Sequence, residues 1–346
     1  MKRWISLVLV AIICVGLFAG CGGGGKSSSS SAPAAGSSAA PSEAPSEAPA
    51  KTTDFPKRAV NVTCPWAAGG GTDTILRAIC LAAEKELGQT ITVTNTTGGG
   101  GATGFAATMN AEPDGYNLGM ITFELNSLPP QGLVPFSYEN FDCIMRINMD
   151  PAAISVPADA PYDTLEEFIE YAKANPGTLN CGNSGPGSVW HIAAGLVEQT
   201  CGVEFKHVPF DGAAPAVTDL AGGHIELVSV SPAEVRGQIE AGTVKMLAVM
   251  AEERDPLFPD VPTFKECGYD VVFGTWRGLA LPQGVPAEER QILIDAFTKA
   301  YEDPDFVTQA QNLGLGLAYQ NDADFTAFLA DNYAMVEETM KAIGLI

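Results

Sequence analysis

The chain has 346 residues, with 19 Lys or Arg against 41 Asp or Glu, so its formal net charge is −22. A nucleic-acid interface needs clustered basic residues to neutralise phosphates, and an anionic membrane surface attracts polybasic patches. The sequence has neither pattern, so we expect no nucleic-acid partner and no polybasic membrane contact. The length is sufficient for two domains with sizeable hydrophobic cores.

The first 21 residues are typical of a secretory signal. Two basic residues precede an apolar segment from residue 4 to residue 19, which is short for a transmembrane helix. Phe18 to Cys21 resembles a bacterial lipobox, in which the Cys thiol is acylated and becomes the new N-terminus. We therefore predict a lipoprotein signal peptide over 1–21 with lipidation at Cys21. The alternative is an ordinary signal peptide in which this Cys is incidental.

Residues 22–54 consist mainly of Gly, Ser, Ala, Pro and Glu. Such a segment has almost no large apolar side chain to offset the entropy of ordering, so we predict a disordered tether. A tether behind a lipid anchor would hold the folded part, residues 55–346, on the outer face of the bacterial cell membrane.

The remainder of the chain alternates predicted strands and helices. The first helix ends at Gly88, and the segment after Pro286 is mostly helical. This alternation predicts a mostly parallel α/β architecture with helices covering the sheets. Strands are predicted over 60–64, 91–94, 117–122, 179–182, 205–208, 225–230 and 245–249.

Two loops, 68–73 and 183–188, each lie between a predicted strand and a predicted helix and are rich in Gly and hydroxyl groups. A helix N-terminus presents free N–H groups and a partial positive charge, so such a loop binds an anion without Lys or Arg. Either loop alone is equally compatible with ordinary helix capping. Together, in separate α/β blocks, they predict a cleft that holds an anion from both sides.

These loops belong to a longer set of segments that spans residue 55 to the C-terminus. The set comprises 65–73, 98–104, 112–116, 182–188 with His191, 208–212, 259–263, and 276–279 with Pro282 and Pro286. In this order the segments resemble the extracytoplasmic substrate-binding proteins of tripartite tricarboxylate transporters, also called the Bug family.

The resemblance implies an α/β fold that is two-lobed and periplasmic-binding-protein-like (type II, Venus flytrap), with two crossover strands. Lobe 1 would comprise 55–155 and 270–346, and lobe 2 would comprise 156–269. The ligand would be a small carboxylate, either a di- or tricarboxylate or an amino-acid-like acid. The protein would pass it to the permease subunits of a tripartite tricarboxylate-type transporter. The resemblance implies a monomer that is not an enzyme and uses no cofactor.

Binding residues follow from the same resemblance, position by position. Trp66 stands where the family usually has Phe, so its larger indole is expected to narrow the cleft. The ligand carboxylate is expected to meet Ala68, Gly70, Gly71 and Thr72 from one lobe and Ser184, Gly185 and Ser188 from the other, partly through water.

Four carboxylates, Asp73, Glu124, Asp211 and Glu234, lie in or near loops expected to face the ligand. We hypothesise that Glu124 or Asp211 pairs with an ammonium group, which would favour an amino-acid-like ligand over citrate. The alternative is that Asp73 and Asp211 cap helices and that Glu124 is solvated.

Two other classes of function stay open on the sequence. Residues 99–104 satisfy G-x-G-x-x-G after a strand, and Glu124 follows at the distance of a dinucleotide fingerprint, which would suit an exported oxidoreductase. A surface lipoprotein without a transport role would need only the anchor and the tether.

The His and Cys residues give little indication of a metal site or of disulfides. The three His residues lack the spacing of a metal site, and His191 is expected to support the loop 184–188. The six Cys of the mature domain could form disulfides in an exported protein, but several occupy apolar positions typical of buried free thiols.

Overall fold

The computed structural model describes residues 54–346. The predicted signal peptide, Cys21 and the tether up to residue 53 lie outside the described residues. The strands, in chain order, are β1 (Val60–Cys64), β2 (Ile91–Asn95), β3 (Asn117–Thr122), β4 (Phe141–Pro151), β5 (Ala153–Pro157), β6 (Asn180–Asn183), β7 (Lys206–Pro209), β8 (Leu227–Val228), β9 (Val244–Val249), β10 (Gly274–Pro282) and β11 (Leu317–Gln320).

The helices of the described residues follow or cover these strands. They are α1 (Gly71–Leu87), α2 (Ala102–Met109), α3 (Glu124–Ser127), α4 (Leu165–Ala174), α5 (Val189–Cys201), α6 (Ala213–Ala221), α7 (Pro232–Glu240), α8 (Ala287–Glu302), α9 (Pro304–Leu313) and α10 (Asp322–Ala342). Short 3-10 turns lie at Gly99–Gly101 and Tyr138–Asn140.

The strands form two sheets, which define the two lobes. The first sheet has the order β11-β4-β10-β3-β1-β2, and the second has the order β7-β6-β8-β5-β9. Strands β1, β2 and β3 pair in parallel, as do β6, β7 and β8, whereas β4, β10 and β11 pair antiparallel. In the second sheet, β9 pairs with β5 in the antiparallel direction. The predicted alternation of strands and helices is confirmed, but the prediction of a mostly parallel architecture is wrong. Five of the nine strand pairings among the described residues are antiparallel, so both sheets are mixed.

The chain crosses between the lobes along two extended segments. Strand β4 of the first sheet passes through Ala152 directly into β5 of the second sheet, and the chain returns to the first sheet at β10. Backbone hydrogen bonds join the segments, from Ala152 N–H to Phe273 O (2.8 Å) and from Met250 N–H to Ala152 O (2.7 Å). The crossover strands are thus present, while the lobe boundaries at residues 155 and 270 stay a prediction.

Two hydrophobic cores hold these layers. One lies between the first sheet and α1, α8 and α9, and it includes Ile75, Leu279 and Phe297, none of them exposed. The other extends from Phe105 on the opposite face of the first sheet to Phe168 in the second lobe. Because the second core is continuous, apolar burial connects the lobes behind the cleft.

Candidate ligand-binding site

Helix N-termini at the carboxyl ends of parallel strands build the site. Helix α1 follows β1, α5 follows β6, α6 follows β7, and α7 follows β8. In α/β folds ligands bind at this edge of a sheet, because loops and helix N-termini converge there. The two glycine-rich loops predicted to bind an anion are the β1–α1 and β6–α5 connections.

The β1–α1 loop ends at Gly70, the N-cap of α1, which offers no side-chain acceptor. A Cβ atom on Gly71 would lie 2.9 Å from Arg277 Nη2 and 3.1 Å from Glu234 Oε1. A larger residue at this position would therefore displace the ends of these two side chains.

Asp73 stabilises the same loop from within. Its carboxylate accepts hydrogen bonds from Gly69 N–H (3.0 Å), Arg77 Nε (3.0 Å) and Asn95 Nδ2 (2.8 Å). Burial would raise the pKa of Asp73, but these hydrogen bonds together lower it. Asp73 thus holds the loop that precedes α1, whose N-cap Gly70 has no side-chain cap hydrogen bond, and Asp73 does not line the inner cavity described below.

The β6–α5 loop is fixed by three side chains. Asn183 Oδ1 accepts from Gly185 N–H (3.0 Å), and Ser188 Oγ accepts from the N–H of His191 (3.3 Å). His191 Nδ1 accepts from Gly187 N–H at 3.0 Å, which confirms that His191 supports this loop. Burial and then the neighbouring His207 lower the pKa of His191 to about 4.

Where the two loops meet, the lobes enclose a cavity of about 20 Å³, which we call the inner cavity. This volume has room for about one water molecule. Its lining includes six of the predicted binding residues, namely Trp66, Gly70, Gly71, Thr72, Glu124 and Ser184. Their contacts with a ligand stay a prediction.

Glu124 is the end of a hydrogen-bonded chain in this cavity. Trp66 Nε1 donates to Thr122 Oγ1 (3.2 Å), and Thr122 donates to Glu124 Oε2 (2.5 Å). The other oxygen of Glu124 accepts from Val189 N–H at 2.9 Å. Glu124 is only 1% exposed, so the alternative that it is solvated is wrong. Burial raises the pKa of Glu124 despite these hydrogen bonds.

Arg277 is a residue of the inner cavity that the sequence analysis missed. It projects from β10, donates from Nε to Thr72 Oγ1 (2.9 Å), and forms an ion pair with Asp150. Its Nη2 lies 3.7 Å from Glu234 Oε1. A single Arg within the apolar run of β10 was the available signal, because a buried guanidinium requires buried partners.

A second, wider cavity of about 770 Å³ adjoins the first, and Ser184 lines both. We call it the mouth cavity, and its lining includes Gly99, Leu133, Gly185, Phe210 and Asp211. Asp211 is exposed, and the N-cap of α6 is Gly212 without a side-chain acceptor, so Asp211 does not cap this helix. Of the remaining predicted residues, Ala68 and Ser188 line neither cavity.

Comparison with known proteins identifies the fold family. The model of the tripartite tricarboxylate transporter family receptor, TctC, matches residues 75–345. The chain belongs to this receptor family. A UPF0065 protein of Cupriavidus necator is 31% identical over 297 residues, which cover 86% of this chain and 90% of that protein.

Two solved structures agree with this assignment. The periplasmic binding protein BugD is 29% identical and superimposes with a TM-score of 0.81, over 84% of this receptor and 99% of BugD. MatC of Rhodopseudomonas palustris, solved with bound malate, is 28% identical with a TM-score of 0.77, over 82% of this receptor and 99% of MatC. The fold is therefore that of the periplasmic binding proteins, as the sequence resemblance implied.

The glycine motif of the oxidoreductase alternative has a structural role in this receptor. Gly99–Gly101 form a 3-10 turn after β2, and Gly104 packs so closely that an added Cβ would lie 2.6 Å from Pro65 Cα. Both oxygens of Glu124, the expected ribose partner, already accept hydrogen bonds. Family and geometry both favour a binding receptor over a dinucleotide enzyme.

Over residues 54–346, no group of three or more His, Cys, Asp or Glu side chains is arranged to hold a metal ion. All six cysteines of this range are free thiols, and five of them are buried. None of the helices in the described part of the receptor combines the length and hydrophobicity that a membrane crossing requires.

Proposed function

We propose that this receptor captures a small carboxylate, either a di- or tricarboxylate or an amino-acid-like acid, between its lobes. One observation carries the proposal. Helices α1 and α6 come from opposite lobes, both begin at a glycine N-cap without a side-chain acceptor, and their N-termini converge. A Cβ atom on Gly70 would lie 4.0 Å from the backbone nitrogen of Ala214. Helix N-termini that converge in this way favour an anion.

The likeness to MatC, which was solved with malate, supports a carboxylate as the ligand class. The mechanism has no chemical step: the ligand stabilises the closed arrangement of the two lobes, and the closed form docks on the permease subunits of a tripartite tricarboxylate-type transporter. Binding as a monomer is sufficient, since both lobes belong to one chain.

The same proposal places the receptor outside the cytoplasmic membrane, held by a lipid on Cys21. The signal pattern of residues 1–21 and the periplasmic binding-protein fold support this location. The intact mass of the protein extracted from membranes tests it, since an unmodified Cys21 would contradict the anchor.

Thermal unfolding and calorimetry with malate, succinate, citrate, glutamate and aspartate test the ligand class. We expect at least one to raise the melting temperature, because a ligand at 100 times its Kd stabilises the folded state by about 2.7 kcal/mol. Ser184→Ala should weaken that binding, whereas Ser137→Ala should not, because Ser137 lines neither cavity. If no carboxylate in the panel shifts the unfolding of the native protein, the proposed ligand class is wrong.

A further inference from the structure

Two protein carboxylates, Glu124 and Glu234, span the cleft, and we call them the interlobe carboxylates. Glu124 follows β3 in the first lobe and accepts a hydrogen bond from Val189 N–H, the first residue of α5 in the second lobe (2.9 Å). Glu234 belongs to α7 in the second lobe and accepts from Gly71 N–H, the first residue of α1 in the first lobe (3.2 Å). Each lobe therefore extends one carboxylate to a helix N-terminus of the other.

The interlobe carboxylates occupy the positions at which an external anion would bind. Gly71 N–H and Val189 N–H are first-turn donors of the two helices that follow the glycine-rich loops. A carboxylate ligand would use such first-turn donors. The inner cavity of about 20 Å³ is too small for a dicarboxylate while both side chains stay in place.

The charges around the inner cavity weaken the contacts of Glu124 and Glu234 with the helix N-termini, so a ligand carboxylate can replace them. The side chains of Glu124, Glu234 and Asp150 are buried near the guanidinium of Arg277, which lines the inner cavity with Glu124 and Glu234. Arg277 forms its close ion pair with Asp150, whereas its Nη2 is 3.7 Å from Glu234. Burial raises the pKa of both interlobe carboxylates, which reflects the cost of holding them away from water. A side chain that gains solvation on leaving the cleft is a weak competitor.

We propose that Glu124 and Glu234 are internal competitors of the ligand: they hold the two helix N-termini when no ligand is present and release them to an incoming carboxylate. This inference rests on the proposed function, and it adds how the same site is regulated. The interlobe carboxylates then lower the affinity for the ligand. The free energy of binding is only the difference between the contacts that the ligand forms and the contacts that it replaces.

Glu124→Gln and Glu234→Gln test this, since the amide keeps the shape and a carbonyl acceptor but removes the charge. Hydrogen bonds to charged acceptors are about twice as strong as neutral ones, so we expect each variant to bind malate about fivefold more tightly than the native protein. Glu84→Gln is the matched control, because Glu84 also accepts a backbone N–H, that of Ile91 (2.7 Å), within one lobe.

A second readout needs no ligand. Without carboxylates in the buffer, the double variant E124Q/E234Q should be more open than Glu84→Gln, with a larger radius of gyration by small-angle X-ray scattering. Weaker malate binding by either variant, with Glu84→Gln unchanged, would overturn the inference, because the carboxylates would then contact the ligand directly. An unchanged radius of gyration would overturn it as well. An expanded double variant with no malate binding by any protein would support the inference and contradict malate as a ligand.

Discussion

The buried polar side chains of the cleft are each held by specific hydrogen-bond partners. The hypothesis that Glu124 or Asp211 pairs with an ammonium group stays a prediction, and in the structure the two oxygens of Glu124 accept hydrogen bonds from Thr122 and Val189. His191 was expected to support a loop, and its Nδ1 does so by accepting from Gly187 N–H. Buried polar groups that lose such partners are costly, so we expect substitutions of these residues to reduce the stability of the protein.

The lowered pKa of His191 predicts that the free energy of unfolding decreases in acid. Its pKa in the folded protein is about 4, against about 6.5 when unfolded, because burial and His207 disfavour the imidazolium. A lowered folded pKa stabilises the protein above pH 6.5, and this contribution is lost as the pH falls towards 4. We expect a loss of up to about 3 kcal/mol in the free energy of unfolding from this residue.

Urea unfolding at several pH values between 7 and 4 measures this effect. Carboxylates contribute to the pH dependence of every variant, so the comparison is between His191→Gln and His224→Gln, which alters an exposed side chain. The His191 variant should lose less stability on acidification than the His224 variant. Equal pH dependence in the two variants would contradict the assignment.

Helix positions depend on glycine where two backbones approach closely. Helix α2 packs against the β1–α1 loop at Gly104, where an added Cβ would lie 2.6 Å from Pro65 Cα and 2.9 Å from Thr96 O. A Cβ atom added to Gly237, in α7, would have no other atom within 4 Å, and Gly237 is exposed. Glycine is therefore required by packing in one helix and only tolerated in the other.

Alanine at these two positions should have opposite effects. Gly104→Ala must displace backbone and should destabilise the protein by about 1–3 kcal/mol. Gly237→Ala should stabilise it by about 0.5–1 kcal/mol, because alanine loses less entropy in a helix. Urea unfolding of both variants checks this, and a neutral Gly104→Ala would show that α2 can move away from the loop.

At the scale of the whole molecule, the net charge and the buried ion pairs of Arg277 bear on how the two lobes hold a ligand. Without the two basic residues of the predicted signal peptide, the formal net charge would be 17 − 41 = −24. Such a charge repels anions, so the proposed carboxylate ligand would have to be captured by local backbone donors. Arg277 lies where the lobes meet, in contact with Asp150 on β4, Thr72 on α1 and Glu234 on α7. It is the cation that balances the buried carboxylates.

Replacing Arg277 should destabilise the fold strongly. Arg277→Met leaves Asp150 and Glu234 buried without a cation, which typically costs about 3–5 kcal/mol. Arg254→Met removes an exposed ion pair with Glu266 and should cost about 1 kcal/mol or less. Guanidinium unfolding compares the two variants. Similar losses would mean that Arg277 contributes no more than a surface ion pair.

The sequence by itself determined the alternation of strands and helices, the two glycine-rich loops and the caps. Thr164 is the N-cap of helix α4, and its side chain accepts a hydrogen bond from Glu167 N–H, three residues further along the chain. These features are local, because hydrophobic period, glycine and capping residues act over a few positions. The antiparallel strands β4, β10 and β11 were not predicted from the residues, since none of them has a regular alternation of apolar and polar side chains.

Only the tertiary structure decided which carboxylates face the site. Val189 is 65 positions from Glu124, Glu234 is 163 from Gly71, and Arg277 is 205 from Thr72. No local pattern encodes such pairs, because they form when the crossover strands bring two sheets together. The sequence therefore predicts that an anion can bind at these helix N-termini, and the fold shows that the protein's own carboxylates already bind there.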